Sequence, residues 1–245
     1  MIALFTDLDN TMIYSAKRNI KVDKTCVEYL DGRGISYMTN TSIQTLSKLK
    51  SIEDILIIPI TTRTFEQYNR ISIGDFKYSL LCNGGLLLKD GVVDEKWLSD
   101  SVSIASRYID ELNTSIELLK NDPDVCFEVR FVSNLFVFTK SNNPEETMSR
   151  LKHINNVSVF NQGSKVYVFP NGLSKGNAIN RFKKYLDEYY IVSAGDSPLD
   201  FSMSDSSDMF LTSNKNYKGV SEDKFKIFEN NIFSDDILSY VENLV

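Results

Sequence analysis

The chain has 245 residues, 42% apolar and 24% charged, with 27 Lys and Arg against 33 Asp and Glu for a net charge of −6. That balance excludes a disordered chain, and the net negative charge argues against a broad nucleic-acid surface, which needs clustered positive charge. No apolar run approaches the roughly 18 residues of a membrane span, and the opening Met1–Asp7 has no basic start of a signal sequence. The expectation is therefore a cytoplasmic protein without a membrane partner, in which Cys26, Cys82 and Cys126 stay reduced. The single histidine, His153, lies in a polar stretch. It offers no zinc-ligand spacing and no sign of a serine-hydrolase triad, which leaves carboxylates, lysine, hydroxyls and a hard metal ion as the available chemistry.

Taken in chain order, Ile2–Thr6 is a short apolar run that predicts a strand buried on both faces, as in the middle of a parallel sheet. Cys26–Leu30 and Ile35–Met38 flank Asp31-Gly32-Arg33-Gly34 and predict a hairpin. A helix over Ile43–Ile52 leads to a second apolar run at Ile55–Ile60, and a third follows at Ser79–Cys82. Trp97–Lys120 has helical spacing with no Gly or Pro, and Val125–Thr139 alternates as a strand pair turning at Ser133-Asn134. Pro144–His153 predicts a helix capped by Asn142 or Asn143, followed by a strand pair over Val157–Phe160 and Lys165–Phe169. Leu173–Glu188 and Asp235–Leu244 predict further helices, and Tyr190–Ala194 and Asp208–Thr212 further buried strands. Buried strands alternating with helices define an α/β domain with a mostly parallel sheet. The helix-and-hairpin middle reads as an α+β insertion at about 86–166, which leaves 1–85 and 167–245 as the core.

In parallel sheets the ligand crevice lies past the C-terminal ends of the strands. Asp7-Leu8-Asp9-Asn10-Thr11 follows the first strand, and Gly195-Asp196-Ser197-Pro198-Leu199-Asp200 follows a later one. Each alone fits an ordinary turn. Together they crowd up to four carboxylates at one sheet edge, which a divalent cation would resolve, and all-oxygen ligands favour Mg²⁺. Thr61 and Thr62 close the second strand and offer donors, and Lys175 opens a helix, where its charge opposes the dipole unless an anion is near. Donors, a lysine and a metal in one crevice make a phosphate site.

These segments, in this order, resemble the four motifs of the haloacid dehalogenase (HAD) superfamily of phosphohydrolases: Asp7–Thr11, Thr61 with Arg63, Lys175-Gly176, and Gly195-Asp196 with Asp200. Asn83-Gly84-Gly85 resembles the junction at which type IIB (Cof-like) members carry an α+β cap. Within that group the motifs are similar to the sucrose-phosphate phosphatase and mannosyl-3-phosphoglycerate phosphatase families. Two positions depart from the usual pattern: Thr62 stands where the superfamily has glycine, and Leu199 where it has asparagine.

The resemblance implies a Rossmann-like HAD core with an inserted cap. It also implies a Mg²⁺-dependent phosphomonoesterase acting on a small phosphate ester, most plainly a sugar phosphate, as a monomer or weak homodimer. By the same resemblance Asp7 is the nucleophile and Asp9 the general acid and base. Thr61 and Lys175 hold phosphoryl oxygens. Asp7, the Asp9 backbone carbonyl, Asp196 and Asp200 hold the metal. Asn83, Arg130 and Lys165 are the candidates for reading the leaving group. The alternatives are a phosphotransferase of the phosphomannomutase type and a non-catalytic phosphate-binding protein on the same scaffold.

Overall fold

Ile2–Thr6 forms strand β1, and all five of its residues are buried, as its unbroken apolar run predicts. After the Asp7–Ile13 turn come β2 (Tyr14–Ser15), β3 (Lys24–Leu30) and β4 (Arg33–Thr39), which make a three-stranded antiparallel sheet with β4 in the middle. The hairpin is thus longer than the sequence suggests and gains a third strand. Its alternation is broken where Val27 and Glu28 are both buried in succession, beside shifts of register at Cys26/Glu28 and Glu28/Tyr29. Such a bulge turns a side chain out of its normal phase. α1 (Asn40–Lys50) follows, its N-terminus capped by the Thr39 hydroxyl, which accepts from the Ser42 N–H. β5 (Ile55–Pro59), the single-turn α2 (Phe65–Tyr68), β6 (Tyr78–Leu81), β7 (Leu86–Lys89) and β8 (Val92–Val93) complete this first stretch.

The next elements are α3 (Glu95–Ser106), α4 (Ile109–Lys120), β9 (Arg130–Val132), β10 (Phe136–Lys140), α5 (Pro144–Leu151), β11 (Val157–Gln162) and β12 (Lys165–Pro170). The four strands form an antiparallel sheet ordered β11-β12-β10-β9. Leu112 and Leu119 of α4 and Leu151 of α5 pack on Val137, Val166 and Val168 of that sheet. Two helices replace the single Trp97–Lys120 helix expected from sequence. The apolar spacing runs unbroken through Arg107-Tyr108, and no Gly or Pro marks the break. Ser133 and Asn134 both take positive φ (50° and 58°), and the Leu135 N–H donates to the Val132 carbonyl. That geometry matches the right-handed twist of the strands it joins. Asn143 makes no side-chain cap on α5, where Pro144 supplies the N-terminal residue instead.

The chain returns through α6 (Lys175–Phe182), β13 (Tyr190–Gly195), β14 (Met209–Thr212), β15 (Phe225–Ile227) and α7 (Phe233–Glu242). α6 is shorter than Leu173–Glu188. It tightens into a 3₁₀ turn at Lys183–Tyr185, where the rings of Phe182, Tyr185 and Tyr78 pack together. The main sheet is parallel throughout and ordered β15-β14-β13-β1-β5. Its core joins Leu4, Ile57, Val192 and Leu211 to Leu46 and Leu49 of α1 and Ile237, Leu238 and Val241 of α7.

This computed structural model describes residues 1–219, 221–230 and 232–245. They divide into two compact units, Met1–Val92 with Lys175–Val245, and Val93–Ser174. β7 pairs with β6, Leu86 opposite Leu81, so the 86–92 stretch belongs with the first unit, and the second extends to Ser174.

Leu112 is fully buried in the second unit's core, packed with Leu119, Leu151 and the sheet valines. Leu112→Ala should lower the unit's stability by about 2–5 kcal/mol, the usual range for a fully buried leucine. Trp97, the only tryptophan, is buried in the same unit. Urea denaturation followed by its fluorescence should therefore show an earlier transition; an unchanged midpoint would mean that this packing does not hold the unit.

Candidate active site

Parallel pairing puts the ends of β1, β5 and β13 at one sheet edge, with Thr6 in register with Pro59 on one side and Ala194 on the other. Asp7 leaves β1 there, its N–H donating to the Ala194 carbonyl at 2.9 Å. The following turn is closed by the Leu8 carbonyl, which accepts from the N–H groups of Thr11, Met12 and Ile13. Asn10 takes φ of 61°, a conformation asparagine tolerates. Leu8 is wholly buried in the core, so Asp7 and Asp9, on either side of it, face the sheet edge.

The Lys175 Nζ donates to Asp7 Oδ1 at 2.5 Å and to Asp200 Oδ1 at 2.6 Å, and all three side chains are buried. This removes the conflict between a lysine and the helix N-terminus, since two carboxylates offset the dipole. Two glycines permit the approach. A Cβ on Gly176 would lie 1.9 Å from the Ser202 carbonyl oxygen, and one on Gly195 would lie 2.2 Å from Asp200 Cβ. Asp200 is fixed further by Ser197, whose N–H and hydroxyl both donate to Oδ2, at 2.9 and 2.7 Å. Leu199, in the place of the superfamily's asparagine, is buried.

Carboxylate oxygens of Asp7, Asp196 and Asp200 lie within 4.8 Å of one another. Thr11 ties Asp196 to the first loop through a 3.4 Å hydrogen bond from its hydroxyl to Oδ1, and Asn214 donates to the Asp196 carbonyl. One lysine faces three carboxylates. Burial raises Asp7 well above the usual carboxylate range, with Asp200, Asp196 and Asp9 adding to the rise and Lys175 opposing it. Asp196 is pushed up to about 7 by burial and by Asp200. Lys175 is held above its ordinary value: burial works against its charge, but Asp200 and Asp7 outweigh that. A cluster of hard oxygen donors with surplus negative charge fits a divalent cation of the Mg²⁺ type.

Asp9 belongs to a second group of charges. Arg63 grips it in a fork, Nε to Oδ2 at 2.8 Å and Nη2 to Oδ1 at 2.7 Å. The same guanidinium also holds Glu28, Nη1 to Oε1 at 2.8 Å and Nη2 to Oε2 at 3.0 Å. Desolvation disfavours the Arg63 charge, yet these bonds raise its pKa above the ordinary arginine value. Thr61 is fully buried; its hydroxyl accepts from the Arg63 N–H, and its carbonyl accepts from the Asn83 N–H. Cys82 and Asn83 take φ of 53° and 60°, the bend that brings Asn83 back to Thr61.

The first unit therefore holds Asp7, Asp9, Thr61, Asn83, Lys175, Asp196 and Asp200, while Arg130 and Lys165 lie in the second. Arg130 is half exposed, bonds the equally exposed Glu128 and stacks over the Phe127 ring. Lys165 pairs across the sheet with Lys140. Sequence reasoning missed Glu28, Thr11, Ser197 and Asn214. Thr11 and Ser197 were visible inside the motifs; Asn214 follows β14 in an unmarked loop, and Glu28 is buried only because the strand is bulged.

The fold is that of the haloacid dehalogenase phosphatases of known structure, a Rossmann-like parallel core with a second α+β unit inserted in the chain. The sucrose-phosphatase of Synechocystis sp. PCC6803, solved with sucrose and phosphate, matches with a TM-score of 0.66 at 14% identity, covering 99% of this chain and 97% of that one. The C-terminal domain of Candida albicans trehalose-6-phosphate phosphatase matches at 0.62 and 14% identity, covering 100% and 93%. A HAD subclass IIB sugar phosphatase, BT4131, matches at 0.57 and 14% identity, covering 100% and 99%. No protein-family model and no curated protein sequence matches the chain.

Gly195→Ala tests the close approach. Its Cβ should push Asp200 away from Lys175, and the variant should lose about 1–3 kcal/mol, the usual range for overpacking, in chemical denaturation. A variant as stable as the parent would show that the loop moves aside without strain.

Proposed function

We propose that the protein is a Mg²⁺-dependent phosphomonoesterase acting on a small phosphorylated metabolite, with a sugar phosphate as the preferred class. The observation that carries this reading is the Asp7–Lys175–Asp200 group with Asp196 beside it, at the ends of adjacent parallel strands. The relatives in fold are phosphatases of sucrose phosphate, trehalose 6-phosphate and other sugars, which supports the substrate class.

In this mechanism an Asp7 oxygen attacks phosphorus, and the bond from phosphorus to the ester oxygen breaks. Asp9 gives its proton to the departing alkoxide. Asp9 then takes a proton from the water that attacks the aspartyl-phosphate, which frees Asp7 and phosphate. Lys175 and donors of the Thr61 loop hold the phosphoryl oxygens and offset their charge. Asp7, Asp196, Asp200 and the Asp9 carbonyl would hold Mg²⁺, which when bound supplies positive charge against the phosphoryl group. We read the inserted Val93–Ser174 unit as a cap of the type IIB kind. We assign it, through Arg130 and Lys165 and with Asn83 of the core, to selection of the leaving group.

Mg²⁺ should raise the thermal midpoint of the wild type, because it offsets surplus buried charge, and this gain should vanish in Asp196→Asn. Equal gains in both proteins would remove the metal assignment. Phosphate release from a panel of sugar phosphates, nucleotides and phosphoglycerate derivatives should need Mg²⁺, stop with EDTA and be absent in Asp7→Asn. An active Asp7→Asn would rule out the covalent route. Arg130→Ala and Lys165→Ala should lower kcat/KM on the best metabolite by roughly tenfold, a loss of about 1.4 kcal/mol, and leave an aryl phosphate nearly unchanged. Equal effects on both substrates would make these residues structural.

A further inference from the structure

Of the buried acidic residues Asp7, Glu28 and Asp200, Glu28 has no part in the mechanism above. Its side chain is 1% exposed, and it lies in the hairpin rather than at a sheet end. The bulge at Val27–Glu28 turns it inward, and the flanking backbone is tied down: the Ser72 N–H donates to the Val27 carbonyl, and Glu28 bridges to Ile71. Every partner of its carboxylate is a donor. Ser36 gives its hydroxyl to Oε2 at 2.6 Å, Arg63 gives two N–H groups, and Arg70 reaches Oε1 at 3.2 Å.

A buried carboxylate is costly unless it is fully paired. Here two carboxylates, Asp9 and Glu28, meet two guanidiniums, and Arg63 stands between the carboxylates. Arg63 is a planar fork with a fixed set of donors. With Nη1 and one Nη2 hydrogen on Glu28, Nε and the other Nη2 hydrogen face Asp9. Without Glu28 the guanidinium could rotate and carry Asp9 with it.

We infer that Glu28 is a positioning residue: through Arg63 it fixes the orientation of the Asp9 carboxylate, and so couples the hairpin to proton transfer. The inference rests on the phosphatase reading and on Asp9 as its acid and base. A purely structural Glu28 would affect all substrates alike. A positioning Glu28 matters most where the leaving group needs a proton.

The experiment compares phenyl phosphate, a poor leaving group, with p-nitrophenyl phosphate, a good one, in the full-length protein with Mg²⁺. Glu28→Ala should lower kcat on phenyl phosphate by roughly tenfold or more, and on p-nitrophenyl phosphate by less than about threefold, with KM little changed on either, as expected for impaired general acid catalysis. Glu28→Gln, nearly the same shape and still able to accept from Arg63, should recover part of the loss; it carries the same comparison if Glu28→Ala does not fold. Equal losses on the two esters, or none, in Glu28→Ala and Glu28→Gln overturn the inference. If Asp9→Asn shows the leaving-group bias and the Glu28 variants do not, this inference fails alone. If the wild type releases no phosphate from either ester or from the metabolite panel, the phosphatase reading fails with it.

Discussion

The arrangement at the sheet edge depends on one contact, the Lys175 ammonium lodged between Asp7 and Asp200. A fully buried lysine is tolerable only with its charge answered. Its two partners come from loops 193 residues apart in sequence at the ends of neighbouring strands. The contact therefore requires that β1 and β13 pair in register, that α6 begin at Lys175, and that Gly176 and Gly195 let backbone and side chains approach. It also leaves Asp196 beside the pair, where burial and the charge of Asp200 push its carboxyl up to about 7.

Charge is sorted into two groups rather than pooled. Lys175 serves Asp7 and Asp200; Arg63 and Arg70 serve Asp9 and Glu28. Asp7 and Asp9 are two residues apart, yet they answer to different cations because Leu8 between them is driven into the core. The hydrophobic position between them separates the two groups of charges over a very short stretch of chain.

Much of the core was legible in the sequence, for physical reasons. A strand buried on both faces must be largely apolar, so β1, β5 and β13 stand out, and the polar residues at their ends follow from the parallel arrangement; the third apolar run, β6, lies instead in a separate sheet, antiparallel to β7. Asp7, Asp9, Asp196 and Asp200 were legible because each follows such a strand, and Lys175 because it opens a helix against the dipole. The break between α3 and α4 was not legible, because the apolar spacing passes through Arg107-Tyr108 without interruption. The early end of α6 was not, because it depends on ring packing with Tyr78, a residue remote in sequence. Glu28 was hidden for a third reason. In an alternating strand a glutamate beside a buried valine is expected to face solvent, and only a local irregularity in pairing reverses that.

That irregularity bears on how the hairpin can change in length. The register shift at Cys26/Glu28 places one extra residue on β3, and the shift at Glu28/Tyr29 places one extra on β4, so the pairing is restored by Leu30 opposite Arg33. Beyond that point Tyr29, Leu30 and the turn are exposed. Insertions and deletions at the tip can accumulate there in any number that still permits a turn. Between Cys26 and Glu28 the chain has no such freedom, since losing or gaining one residue would rotate the glutamate to the opposite face and strand two arginines. Natural variants of this hairpin should therefore differ in length only on the outer side of Glu28.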